Sequence, residues 1–91
     1  MDSEEFYQSL RQKLNEQTEW PTVYMFKFII PADNQKMAQV NELFDDSAQI
    51  TTRASKKGNY LSISAKEVMI NAEAIIARYE KAAEIEGIIS L

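Results

Sequence analysis

Basic and hydroxyl side chains are the groups of this chain whose spacing suggests chemistry. No acidic residue lies between Ser47 and Lys66, although four of the ten basic residues fall in that window. Strand alternation predicts that Lys27, Arg53 and Lys66 share one face of a sheet. Cations beside hydroxyls can hold a carboxylate or a phosphate through charge-assisted hydrogen bonds. The hydroxyls on that face come from Thr51, Ser62 and Ser64.

The basic window also contains a predicted turn, Ser55-Lys56-Lys57-Gly58-Asn59. Gly58 supplies the positive φ that a tight connection requires. A solvated basic hairpin and a binding surface explain this charge equally well, because charge segregation is common in small domains. The candidate ligand-binding or partner-binding residues are Lys27, Arg53, Lys56, Lys57, Asn59, Tyr60, Ser62 and Lys66.

Lys27 also has a simpler interpretation. Its aliphatic stem can cover Met25 while its ammonium group pairs with a glutamate near the N-terminus. For Lys27 considered alone, this alternative is the better prediction.

The composition excludes several classes of chemistry. The chain has no cysteine and no histidine, which excludes disulfides, thiol catalysis, ordinary zinc sites and histidine-based acid/base mechanisms. The carboxylate clusters Glu4-Glu5, Asp45-Asp46 and Glu84 with Glu86 fall at predicted helix ends, where capping and solubility explain them. An all-carboxylate magnesium or calcium site stays open, but no Asp-x-Asp-x-Asp-Gly loop supports it. We therefore expect no catalytic residue, no metal site and no cofactor, and a protein that is not an enzyme.

One segment organises the predicted fold, namely Thr22 to Ile30. It is rich in β-branched and aromatic residues and lies between Pro21 and Pro31, which is typical of a strand. Both of its alternating sets of side chains are mostly apolar. This pattern predicts an inner strand with other elements packed on both sides.

The order of the remaining patterns predicts a helix followed by βαββαβ. This order predicts an α+β fold, the ferredoxin-like sandwich, as a four-stranded antiparallel sheet of order 4-1-3-2 with two crossover helices on one face. We expect a single domain, residues 1–91, composed of an extra N-terminal helix and a core over residues 22–91. The predicted helices span 3–17, 34–44 and 72–84, and the predicted strands span 22–30, 49–54, 60–66 and 88–91.

The sheet face away from the crossover helices is predicted to be half apolar and half basic. An apolar area of this kind left in water would be a contact site. We expect the N-terminal helix to cover it at least partly through Phe6, Leu10 and Leu14. A homodimer through the remaining face or the edge strands is the second possibility.

Several segments form a recognisable set: Trp20-Pro21-Thr22, Tyr24-Met25-Phe26-Lys27, Ser55 to Ser64, a helix with Tyr79, and Leu91. Together they resemble the YbeD-like family of small bacterial proteins, a family of unknown function. The resemblance implies a ferredoxin-like fold similar to ACT regulatory domains, and a regulatory or ligand-sensing role sometimes connected with lipoate metabolism by gene neighbourhood. The family-like positions are Lys27, Lys56, Gly58, Asn59, Tyr60 and Ser62.

Three functions remain open at this stage. The preferred prediction is a small regulatory or ligand-sensing domain for an anionic ligand, although the loop Pro31-Ala32-Asp33-Asn34 lacks the glycine that would let an ACT-type ligand approach the backbone. The alternative is an adaptor that binds an unknown protein partner through the basic hairpin, an edge strand or the open sheet face. Nucleic-acid binding is disfavoured, because only Tyr60 offers an outward ring for base stacking.

The cellular location is predicted from two absences. Met1 to Glu5 is acidic and leads into an amphipathic pattern, which is unlike a secretory or transit peptide. No apolar run approaches the roughly 20 residues needed to cross a bilayer. We therefore expect a cytoplasmic protein without membrane contact.

Overall fold

The computed structural model describes residues 3–91 as an antiparallel sheet with three helices. The sheet has four strands in the order β2-β3-β1-β4, which is the predicted order of strands. The topology is compatible with a ferredoxin-like arrangement. The elements are α1 (Ser3–Gln17), β1 (Thr22–Pro31), α2 (Asn34–Asn41), β2 (Gln49–Ala54), β3 (Tyr60–Met69), α3 (Ala72–Ala82) and β4 (Ile89–Ser90).

Strand β1 lies inside the sheet, as its sequence predicts. It pairs with β3 along its whole length, from Thr22 opposite Met69 to Pro31 opposite Tyr60. On its other side it pairs with the short β4. Because side chains alternate along a strand, this register fixes which residues of three neighbouring strands share a face.

The hydrophobic core lies on one side of the sheet. Phe26, Phe28 and Ile30 of β1 are at most 1% exposed, and they pack in one cluster with side chains of α2 and α3. Both crossover helices therefore cover the same face. The other buried members of this cluster are Val40, Ile63, Ala65, Met69, Ile75, Tyr79, Ala82 and Ile85.

Side-chain caps begin both crossover helices. The Asp33 carboxylate accepts a hydrogen bond from the Gln35 backbone N–H at 2.8 Å. The Asn71 side chain accepts one from the Ala74 N–H at 2.8 Å. Both residues satisfy donors that a helix start leaves without partners, as their types predict.

Several element ends differ from the sequence prediction. Strand β1 extends one residue further, to Pro31, and β4 is limited to Ile89–Ser90. Helix α2 stops at Asn41, because the next turns close through tighter bonds, from Leu43 N–H to Val40 O and from Phe44 N–H to Asn41 O. Helix α3 stops at Ala82, two residues early. Strand β3 continues to Met69, because β1 pairs with it throughout.

Helix α1 does not cover the open side of the sheet, so that prediction was wrong. Tyr7, Leu10 and Leu14 pack against the core cluster on the helix side, and the Arg11 guanidinium pairs with Glu73 of α3. Phe6, predicted to be part of the buried stripe, is 45% exposed. An amphipathic stripe needs an apolar surface, and here α3 and the core provide it.

Candidate anion-binding sheet face

The open face is the side of the sheet opposite the helices. Along β1 it carries three apolar side chains and one lysine, and along β2 and β3 it is mostly polar. Its residues follow from the strand register: Val23, Met25, Lys27 and Ile29 of β1; Gln49, Thr51 and Arg53 of β2; Tyr60, Ser62, Ser64, Lys66 and Val68 of β3; and Ile89 of β4.

Ser64 lies at the centre of the polar part of this face. It is opposite Lys27 on one side and opposite Thr51 on the other. Lys66 is two residues further along β3, which makes it a diagonal neighbour of Lys27, about 7–8 Å away between backbones. Arg53 is opposite Ser62, towards the other end of the face. The register therefore brings Lys27 and Lys66 together and places Arg53 apart from them.

Two shallow depressions on the open face share Thr51 and Ser64. One, of about 520 Å³, also touches Arg53 and Ser62. The other, of about 250 Å³, also touches Gln49, Met25 and Lys66. A group bound at the shared hydroxyls would thus have a guanidinium on one side and an ammonium on the other.

The cations of the open face are not neutralised. Within residues 3–91, the ion pairs are Arg11 with Glu73 and Arg78 with Glu67, both away from this face. Lys27 has no carboxylate partner among the described residues, so its predicted pairing with an N-terminal glutamate is wrong. The reason is the position of α1, which carries Glu4 and Glu5 to the helix side. Positive charge on the open face is therefore available to an anion.

The β2–β3 turn holds the other predicted residues away from this centre. Gly58 has a φ of +74°, and the Tyr60 N–H donates to Ser55 Oγ at 3.1 Å. Lys56 and Lys57 are exposed at the tip of the hairpin. The Asn59 carbonyl accepts a bond from the Ala32 N–H at 2.9 Å, so Asn59 connects the hairpin to the loop after β1.

One end of the open face is apolar and in water. Val23 is 64% exposed and its β3 partner Val68 is 61% exposed. Met25, the next residue of β1 on the same face, is 40% exposed. Among the described residues no element covers this end.

The sequence interpretation missed an ion pair on the helix side of the sheet. Arg78 of α3 donates to both carboxylate oxygens of Glu67, at 3.2 and 3.0 Å. Glu67 is only 9% exposed, and the hydrogen bonds from Arg78 lower the pKa of its carboxyl. The Arg78 guanidinium also lies over the rings of Phe26 and Phe44, 5.5 and 4.9 Å from their centroids. The signal was present in β3, where Glu67 occupies an inward position between Ala65 and Met69.

A pair of tyrosines forms the second missed contact. The hydroxyls of Tyr24 and Tyr79 are 2.8 Å apart. Burial raises the pKa of Tyr79 well above its ordinary value, and the hydrogen bond with Tyr24 adds to the rise. This polar contact satisfies two hydroxyls at the border of the core.

The described residues offer no other obvious chemistry. No cluster of carboxylates or other metal-ligating side chains that could hold a metal ion occurs among residues 3–91. None of the described helices has the length and apolar character of a membrane span.

A family comparison agrees with the resemblance noted from the residues. The family model described as "Protein of unknown function (DUF493)", the YbeD-like family, matches residues 15–91. The chain belongs to this family. The match includes every strand and both crossover helices, whereas most of α1 precedes it. The DUF493 chain has no significant match among curated proteins or among solved structures.

Proposed function

We propose that this DUF493 protein is a small, non-enzymatic regulatory or ligand-sensing domain that binds an anionic group on its open face. The observation that supports this proposal most directly is a set of three cations for which residues 3–91 provide no carboxylate partner. Lys27, Arg53 and Lys66 stand on adjacent strands around hydroxyls that two depressions share. An anion would gain charge-assisted bonds there without displacing an existing ion pair.

A carboxylate or phosphate fits the chemistry of this face best. Each has several acceptor oxygens, which match the ammonium and guanidinium donors and the hydroxyls of Thr51 and Ser64. The donors stand on paired strands, so the backbone positions that carry them are set by the sheet before a ligand arrives. The ferredoxin-like, ACT-like nature of the fold implied by the family resemblance agrees with a sensing role.

The proposed function is binding and not catalysis, because the carboxyl and phenol groups with shifted pKa values do not lie on the open face. The pKa shifts of Glu67 and Tyr79 arise from structural contacts on the helix side of the sheet. The open face provides binding donors, and its described side chains include no carboxylate that could act as a general base.

Thermal unfolding with candidate anions tests the proposal. Amino acids, nucleotides, lipoyl compounds and inorganic phosphate would be added separately at millimolar concentration to the wild-type protein. A compound present at about 100 times its dissociation constant adds about 2.7 kcal/mol to the free energy of unfolding. For a domain of this size, that corresponds to a rise in Tm of roughly 10 °C or more.

Matched charge variants identify the site. Arg53→Gln and Lys66→Gln should each reduce the rise in Tm, whereas Lys13→Gln, which removes one charge from exposed α1, should leave it unchanged. The absence of a shift with every compound would contradict the proposal. An equal loss in all three variants would show that only net charge matters.

A second candidate function is supported by the hairpin tip. Lys56 and Lys57 are exposed, and the space beside Gly58 is empty within 4 Å. A protein adaptor could present this tip to an acidic partner. The double variant Lys56→Glu and Lys57→Glu should then lose a partner that the wild type captures while keeping the wild-type Tm. Capture of the same partner by both proteins would reject this alternative.

A further inference from the structure

Within residues 3–91, no strand pairs with the outer edge of β2. β2 lies at one border of the sheet and pairs only with β3. Its register with β3 runs from Gln49 to Ala54 without a bulge, and the strand contains no proline. Proteins usually protect such an edge with a bulge, a proline or a covering segment. Residues Thr51 to Ala54 are instead exposed.

The register shows which backbone groups point outward from this edge. The Ser55 N–H donates to the Tyr60 carbonyl at 2.9 Å, so this pair is of the hydrogen-bonded kind. Antiparallel pairs alternate between bonded and non-bonded kinds. The backbone groups of Ile50, Thr52 and Ala54 therefore face away from β3, towards solvent. They provide a row of donors and acceptors two residues apart.

From this edge and the charge beside it, we infer that β2 binds an extended acidic segment of a protein partner, which adds a fifth strand to the sheet. The added strand would lie about 4.8 Å from β2. Every second side chain of the segment would then stand on the open face beside Arg53. Acidic residues at those alternate positions would meet unneutralised positive charge. This inference shares Arg53 with the proposed small-anion site, but it depends on the backbone of β2.

Charge favours this partner over a second copy of the chain. Two β2 strands paired edge to edge would place two windows free of acidic residues, from Ser47 to Lys66, side by side. The Arg53 side chains and hairpin lysines of both copies would repel one another. An acidic strand removes that repulsion.

Amide hydrogen exchange measured by NMR tests the inference. The probe is a capped peptide of about eight residues that alternates Glu and Thr. The control peptide has the same composition with all Glu in its first half. The alternating peptide should slow exchange of the Ile50, Thr52 and Ala54 amides at least about tenfold. The amides of Thr51 and Arg53 already bond to β3, so their exchange should change less.

Two substitutions at one position isolate the backbone contribution. Thr52→Pro removes the outward N–H at an edge position where proline is tolerated, while Thr52→Ala removes the same side chain and keeps the N–H. The first should weaken peptide binding about tenfold, the effect of one lost hydrogen bond of this kind. The second should not. A version of the alternating peptide that is N-methylated at its Thr residues should bind the wild type at least as weakly as the unmethylated peptide binds Thr52→Pro. This gives the same test without altering the protein.

Three results would overturn the inference. Equal binding of the grouped and alternating peptides would show general charge attraction, and unchanged exchange of the edge amides would show that the peptide binds elsewhere. Slow exchange of those amides in a dimer without peptide would assign the edge to a second copy. The N-methylated peptide tests the edge on the unaltered protein, and the small-anion shift in Tm is measured without any peptide, so this inference and the proposed function can fail separately.

Discussion

Arginine residues on the two faces of the sheet have different surroundings. On the helix side, Arg78 pairs with Glu67 and stacks on two aromatic rings. On the open face, Arg53 has no carboxylate partner among residues 3–91 and lies beside a solvent-filled depression. The first arrangement stabilises the fold, because each charge is satisfied within the protein. The second contributes little to folding and leaves its charge for another molecule. Under the proposed function, the sheet separates the contacts that stabilise the fold from the groups that would bind a ligand.

Neighbouring residues of β1 should show the largest difference between the faces. Phe26 is fully buried and Met25 is 40% exposed. We expect Phe26→Ala to lower the free energy of unfolding by about 3–5 kcal/mol, through lost burial and the cavity it leaves. Met25→Ala should cost less than about 1 kcal/mol. Urea denaturation measures both, and similar costs would contradict the assignment of the faces.

Neighbouring residues of β3 should differ next. Glu67→Gln leaves Arg78 without a counter-charge in a partly buried site, and should cost about 3 kcal/mol. Lys66→Gln on the open face should change the free energy by less than about 0.5 kcal/mol. The double variant Glu67→Leu and Arg78→Met should cost less free energy of unfolding than the sum for Glu67→Leu and Arg78→Met made separately. The reason is that the double variant leaves neither charge without its partner. Additive costs would show that the pair does not interact.

The same ion pair should make stability depend on acid. The pKa of Glu67 is lower in the folded protein than in the unfolded chain, where it is about 4.3. Its contribution is therefore complete above that value and is lost as pH falls through the folded pKa. Between about pH 7 and pH 3, the difference in stability between wild type and Glu67→Gln should shrink. A difference that stays constant with pH would exclude this role.

The tyrosines should show a smaller contrast. Tyr24→Phe removes the hydrogen bond with the Tyr79 hydroxyl, and we expect a cost of about 1 kcal/mol. Tyr60→Phe, at a ring that is 50% exposed, should change the free energy of unfolding very little. Tm values of the two variants, measured in parallel, test this difference. An equal shift in the two variants would show that the buried hydroxyl bond adds nothing.

The smallest effect should come from the open-face cations. Lys27→Gln, in the absence of ligand, should leave stability within about 0.5 kcal/mol of wild type or raise it slightly, because it relieves repulsion from nearby Lys66. Any gain should disappear at high salt, which screens exposed charges. Denaturation at low and high ionic strength tests this, and a loss of more than 1 kcal/mol would reveal a partner for Lys27.

The alternation of side chains made much of the sheet predictable. Alternation alone places Phe26 and Lys27 on opposite faces, because successive side chains of a strand point to opposite sides of the sheet. The position of α1 was not predictable, since its stripe of Leu10 and Leu14 shows that the helix packs, but not against which surface. The pairing of Glu67 with Arg78 depends on how α3 crosses β3, which local patterns do not contain.

The candidate site was predictable only as a set of residues on one face. The register supplied the arrangement within it, with Ser64 between Lys27 and Thr51 and with Arg53 further away. The outward direction of the Thr52 backbone follows from the phase of the β2–β3 ladder, which the hydrogen bond from the Ser55 N–H to the Tyr60 carbonyl identifies. No residue type in β2 indicates that bond.

The location of α1 has a practical consequence for experiments on this protein. Because α1 packs over α3, its exposed surface looks away from the open face. A dye or a linker to a sensor chip placed at exposed Gln8 would leave the strands directed towards the solution. Helix α1 can thus serve as the attachment site for immobilising the protein while ligands are added to the open face.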